Sequence, residues 1–221
     1  MAAAVPTSLL VVGVSSASAV LPRLRQGQVR WRIAAVVAAA GAGPAFAGAA
    51  VNRLLDPRVV LVGFAVLMVV AGVMMLREQT EAGGDCALGD GAVNWRGCLP
   101  KAIASGLVVG FLTGFFGVGG GFLIIPALVL LLGLSMTVAV GTSLVIIVVN
   151  SVSGFVAHLG DAELDYGIAG AFTLAAVVGS LAAGRVASRL PAQRLRRWFA
   201  YFVFAVATFV VVQVLINPNA G

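Results

Sequence analysis

The sequence predicts an all-α, polytopic membrane fold, and three observations carry that prediction. Of 221 residues, 61% are hydrophobic and only 10% are charged, against roughly 45–50% and about 25% in soluble domains. The apolar residues are gathered into runs long enough to cross a bilayer as helix, which takes about 20 residues. The fourteen Lys and Arg side chains stand between those runs, where basic residues orient a membrane protein. A soluble enzyme, a nucleic-acid binder and a disordered chain are thereby excluded. The net charge of +6 reads as a topology signal rather than as affinity for nucleic acid. The 28 glycines lie inside apolar runs without a G-X-Y period, so they do not indicate collagen.

The first span runs from Ala2 to Val20. No basic segment precedes it, so it does not read as a signal peptide. Ile33 to Val51 and Val59 to Leu76 complete a first membrane repeat, residues 1–76. Residues 77–101 form a polar inter-repeat loop. Cys86 and Cys98, twelve apart within it, read as unpaired loop thiols, and a disulfide stays open for an oxidising compartment. The second membrane repeat, residues 102–221, holds spans at Val138 to Leu159, Gly167 to Gly184 and Trp198 to Ile216. None of the six spans contains Asp, Glu, Lys or Arg. His158, alone near the end of one span, reads as structural.

The segment Ala102 to Leu134 needs separate treatment. Its 33 apolar residues would make one helix of about 50 Å, too long for a hydrocarbon core of roughly 30 Å. Its middle contains Gly119-Gly120-Gly121, a poor helix interior. A break there predicts a hairpin of two half-helices that enters and leaves on the same side. Basic-residue placement agrees. A single crossing divides the fourteen basic residues seven to seven, whereas a hairpin places twelve on one side and two on the other, as the positive-inside rule demands.

Met1 to Leu9 aligns with Met136 to Leu144 at six of nine positions, an offset of 135. At the same offset Ser16 meets Ser151, Ser18 meets Ser153, and Trp31 meets Tyr166. Each half continues as three spans, which reads as a duplication. Three spans plus a hairpin separate equivalent points, so the halves are expected to be inverted. The loop after the first span carries four arginines, while its counterpart carries Asp161, Glu163 and Asp165. Nothing in the first half corresponds to Ala102 through Ser135, and a true start upstream of Met1 is the expectation drawn from that.

Several motifs resemble one family. They are Gly110-Phe-Leu-Thr-Gly114-Phe-Phe-Gly117-Val-Gly119-Gly120-Gly121-Phe-Leu-Ile-Ile-Pro126, then Ala139-Val-Gly-Thr-Ser-Leu144, Asn150-Ser-Val-Ser-Gly154, Gly184-Arg185 and Arg189-Leu-Pro191. Together they are similar to the TauE/SafE sulfite exporters, well matched over the second half and weakly over the first. The departures are the missing first Gly-rich hairpin and Pro6 where the second copy has Gly141. The resemblance implies a secondary carrier in the cytoplasmic membrane for sulfite, organosulfonates or thiosulfate. No ATPase motif, nucleophile–base constellation, metal cluster or cofactor motif is legible.

A buried anion must be hydrogen-bonded or paired, and the spans supply no Lys or Arg. Backbone N–H groups at a broken helix and side-chain hydroxyls remain. The expected shell is therefore Gly117, Gly119, Gly120 and Gly121 with Thr142, Ser143, Asn150 and Ser151, and Thr7, Ser8 and Ser16 as first-half equivalents. Gly106, Gly110 and Gly114, four apart, read as helix-packing positions. Arg185, Arg189, Arg194, Arg196 and Arg197 read as topology anchors, with anion attraction at the inner mouth left open. The expected partners are a small anion and the lipid bilayer, with homo-oligomerisation left open. The competing reading is a non-transporting scaffold, an assembly partner or a nonfunctional permease fragment.

Overall fold

A computed structural model describes residues 4–77, 95–116, 121–157, 166–187 and 190–216. Cys86, Gly117, Gly119, Gly120, His158, the three acidic residues of the second loop and Arg189 lie outside them. The described residues form eight helices and no strand. These are α1 Ala4–Arg25, α2 Trp31–Asn52, α3 Pro57–Arg77, α4 Trp95–Phe116, α5 Gly121–Leu130, α6 Met136–Ala157, α7 Tyr166–Ala187 and α8 Ala192–Ile216. All except α5 are long and apolar enough to cross a membrane. Exposed Phe46, Leu54, Leu174 and Phe209 fit a lipid-facing exterior, where apolar surface carries no penalty. Trp31 and Trp198, also exposed, stand at helix starts where interfacial aromatics are favoured.

Local chemistry sets the turns. α1 ends at Gly27, whose φ of 66° is the left-handed conformation that glycine adopts without strain. Around it the Gly27 N–H donates to the Leu24 carbonyl and the Gln28 N–H to the Arg23 carbonyl, both at 3.1 Å. This pair of bonds is the Schellman arrangement that satisfies helix-end carbonyls. α3 starts on Asp56, whose Oδ1 accepts the Arg58 N–H at 2.8 Å, with Pro57 in the first helical position.

The contacts fix the direction of each helix. Leu9 packs at Gly154 and Gly13 at Ser151, while Arg30, just beyond α1, meets Thr142. α1 and α6 are therefore antiparallel. α2 and α4 run side by side in the same direction, from Val37 against Gly106 to Asn52 against Phe115. α4 and α6 consequently both start at the face where α1 ends, so the chain between them crosses and returns. Arg23, Arg25, Arg30, Arg32, Arg77, Arg96, Lys101, Arg185, Arg194, Arg196 and Arg197 belong to this arginine face. Among the described basic residues, only Arg53 and Arg58 lie at the other.

The legs of that hairpin are unequal. α4 begins at Trp95, seven residues before the expected Ala102, and by length alone it crosses fully. α5 has ten residues, about 15 Å, and the non-helical stretch 131–135 completes the return. Leu132 and Leu134 in that stretch are buried, which meets the rule that unwound backbone at membrane depth must be enclosed by protein. Cys98, on the second turn of α4, is also buried and is disulfide-bonded rather than a free thiol.

Two packings organise the interior. Ile33, Met75, Ile124, Leu128, Leu132 and Ile146 gather α2, α3, α5 and α6 into the main core. Phe64, Met68, Val203 and Ala207 join α3 to α8. The closest crossing is α2 with α4. A Cβ built on Gly110 would strike the Gly41 backbone, one on Gly114 the Ala45 carbonyl, and one on Gly48 the Phe111 carbonyl. Glycine is required at this crossing because backbone touches backbone. The glycines four apart are thus packing residues, as their spacing suggested. Helix borders also repeat at the sequence offset of 135: α2 and α7 match at both ends, α3 and α8 at their starts.

Candidate functional site

Hydroxyl-bearing residues mark the surfaces where α1, α6 and α7 meet. Thr142 is wholly buried, and its Oγ1 accepts the Arg30 N–H at 3.2 Å. A Cβ on neighbouring Gly141 would stand 2.5 Å from the Gln28 carbonyl oxygen. The α1–α2 turn therefore lies directly on the first turns of α6. Buried Ser143 donates to the Val140 carbonyl at 2.9 Å, a bond within its own helix.

Deeper between the faces, Ser151 of α6 is buried against Gly13 of α1, and Ser16 is buried on α1. The seam continues toward α7. Ser18 donates to the Ser15 carbonyl at 2.7 Å, and its Oγ lies 3.2 Å from the Ser180 Oγ. Ser180 also stands 2.9 Å from the Val177 carbonyl and 3.4 Å from that of Ser15. These hydroxyls rest on carbonyls of their own helices, the usual refuge of Ser and Thr in membrane helices. Rotation about Cα–Cβ frees such a hydroxyl to donate elsewhere.

At the arginine face the seam opens into a cavity of about 170 Å³ between the ends of α1 and α7 and the starts of α6 and α8. Arg23, Arg185, Gln26, Gln28, Thr137 and Ser180 supply its polar lining; Ala19, Leu181 and Leu195 belong to its apolar wall. Gln28 Nε2 donates to Gln26 Oε1 at 2.7 Å. Among the described residues no group of three or more His, Cys, Asp and Glu could hold a metal ion.

The family model described as "Sulfite exporter TauE/SafE" matches residues 1–210. The chain belongs to the TauE/SafE family. A probable membrane transporter protein of Xylella fastidiosa (strain 9a5c) is 31% identical over 213 residues, covering 94% of this chain and 79% of the relative. The probable membrane transporter protein YunE of Bacillus subtilis (strain 168) is 30% identical over 200 residues, 85% of this chain and 71% of that one. No solved structure matches. As a TauE/SafE member with seven helices fit to span a bilayer, this is a multi-pass membrane transporter, and what its family and relatives describe is permeation rather than catalysis.

Among the described residues of this TauE/SafE protein, the members expected to share one shell stand apart. Thr142 touches Arg30 at one end of α2, whereas the α4 terminus meets Asn52 at the other, about 33 Å away along 22 residues. Gly121 opens α5 beyond that terminus, and Gly117, Gly119 and Gly120 fall outside the described residues. Asn150 is exposed rather than buried beside Ser151. Thr7 is half-buried and Ser8 exposed near the start of α1. Ser16 and Ser151 alone combine burial with a place between the two faces. Sequence reasoning missed Ser180 and the pairing of Arg23 with Arg185 around one cavity. Pro22-Arg23 inside the last turns of α1 was the available signal, a basic residue drawn into a helical span.

Proposed function

We propose that this chain is a secondary carrier of small sulfur-containing anions, such as sulfite, organosulfonates or thiosulfate, in the cytoplasmic membrane, built from two inverted repeats. One observation carries the reading: the polar groups between the two faces are neutral hydroxyls. The described helices contain no Asp or Glu, and their basic residues lie within the first or last two turns. A cation would want carboxylates there, and proton relays use carboxylates or histidines. An oxyanion wants donors, and Ser16, Ser18, Ser151 and Ser180 supply O–H groups without a charge that would trap it. The antiparallel packing of α1 on α6 and the borders repeated at 135 support the inverted relation of the halves. Hydroxyls repeated between the two halves inside the membrane favour a carrier over a scaffold.

The Gly-rich segment remains in the proposal as the second contact for the anion. Gly117, Gly119 and Gly120, with Gly121 at the start of α5, would bring free amide hydrogens and the positive end of α5 to the passing oxygen atoms. The deciding experiment reconstitutes the protein in liposomes and compares flux of sulfite, sulfate, thiosulfate and ethanesulfonate. Faster movement of one or more sulfur anions than in protein-free vesicles is expected, with Gly120→Leu inactive yet still inserted. Absence of flux for all four anions refutes the assignment.

A further inference from the structure

We propose that the cavity between α1, α6, α7 and α8 is a binding site for a small soluble oxyanion of the sulfonate class, gripped by Arg23 and Arg185 with Thr137 and Ser180 completing its donors. The proposal deepens the carrier reading and rests on it for the class of ligand. The site stands on the cavity itself.

Four observations lead there. Two guanidinium groups line one concavity of about 170 Å³, and among the described residues no carboxylate lines it. The only acidic side chain among the described residues is Asp56, which lies at the opposite face before α3. Among the described residues the charge at the cavity is thus positive, beside apolar walls that strengthen attraction for an anion. The remaining polar lining offers donors: the hydroxyls of Thr137 and Ser180 and the amides of Gln26 and Gln28. Guanidinium forks match the spacing of sulfonate oxygens, while Ala19, Leu181 and Leu195 suit a short organic substituent.

The position of Ser180 joins this site to the seam. It precedes Arg185 by five residues on α7, about 7 Å deeper along the helix, and its hydroxyl meets that of Ser18. An anion held by the arginines thus shares its cavity with Ser180, one member of the first hydroxyl pair. The arginine face becomes the side of capture, with affinity set there rather than at mid-membrane.

The same chemistry could be met by a lipid phosphate, so the test has two arms. The full chain is placed in phosphatidylcholine nanodiscs and titrated with sulfite and with ethanesulfonate, reading heat of binding. Arg23→Gln and Arg185→Gln are each expected to weaken binding about tenfold. Arg23→Lys keeps the charge without the fork and should fall between. Arg77→Gln removes a charge from the same face outside the cavity and should bind as the parent does. Arg185 is exposed, so its variant tests the site without endangering the fold. The second arm repeats the titration in phosphatidylglycerol nanodiscs, where sulfonate binding is expected to persist with the same arginine dependence.

Unchanged affinity in both glutamine variants overturns the proposal, as does equal weakening by Arg77→Gln, which would signify a diffuse surface potential. Arginine-dependent exclusion of sulfonate by phosphatidylglycerol also overturns it and makes the cavity a lipid seat. Sulfonate binding without liposome flux would defeat the carrier reading and leave this site standing; flux with undiminished affinity in both variants would do the reverse.

Discussion

Replacing Gly110 by Ala adds one methyl group at the closest point of the α2–α4 crossing. That carbon would stand 2.5 Å from Gly41 Cα and 2.7 Å from its carbonyl carbon, where unstrained carbon atoms sit about 3.5–4.0 Å apart. The helices must part by roughly 1 Å, which forfeits a quarter to a half of each dispersion well of ~0.1–0.2 kcal/mol. Over on the order of thirty atom pairs at the crossing, the loss is about 2 kcal/mol, within the usual cost of overpacking. Lipid cannot offset it, since helix association in a bilayer depends on such packing. Gly179→Ala on α7 is the control, because nothing lies within 4 Å of its added carbon and Ala is the better helix former. Unfolding by increasing dodecyl sulfate, followed by tryptophan fluorescence, should show Gly110→Ala unfolding well before the parent and Gly179→Ala at or slightly after it. Equal midpoints for Gly110→Ala and the parent would refute the backbone-contact account of the crossing.

Other substitutions probe other joints. Thr142→Val removes the acceptor of the Arg30 N–H and should cost about 1–3 kcal/mol in the same assay, with Thr142→Ser keeping most of the stability. Gly27→Ala forces a side chain into φ 66° and should cost about 1 kcal/mol; a neutral result would mean that the α1–α2 turn relaxes freely. Asn52→Ala leaves the Phe115 carbonyl at the end of α4 without its Nδ2 donor, an expected loss of about 1 kcal/mol that should appear as faster amide exchange in the last turn of α4. Gly141→Ala should push the Gln28 carbonyl away from α6, lowering thermal stability.

Hydropathy and arginine placement made most of the fold legible, because a bilayer imposes length and sidedness directly on the chain. The twelve-to-two partition of basic residues implied that the chain returns after Phe116, and α4 and α6 do start at the same face. Hydropathy reports lipid depth rather than helix ends, so it missed Trp95–Lys101, where Arg96 and Lys101 interrupt the apolar run but not the helix. It also could not place the break. With 22 residues in α4, its Phe116 end falls toward the opposite face, far from Thr142. Arg23 and Arg185 read as anchors because nothing local reveals that the ends of α1 and α7 converge; that proximity comes from packing alone.

The absence of charge between the two faces among the described residues has an energetic corollary for the proposed carrier. A passenger crossing such a neutral interior has no fixed countercharge moving with it, so the membrane voltage acts on its full charge. For a monoanion leaving an interior 100 mV negative, that work is favourable by about 2.3 kcal/mol, equivalent to roughly a 50-fold concentration ratio. If the proposed carrier works outward, such a voltage would by itself favour expulsion of the anion, and collapsing the potential with an ionophore would leave only downhill leakage.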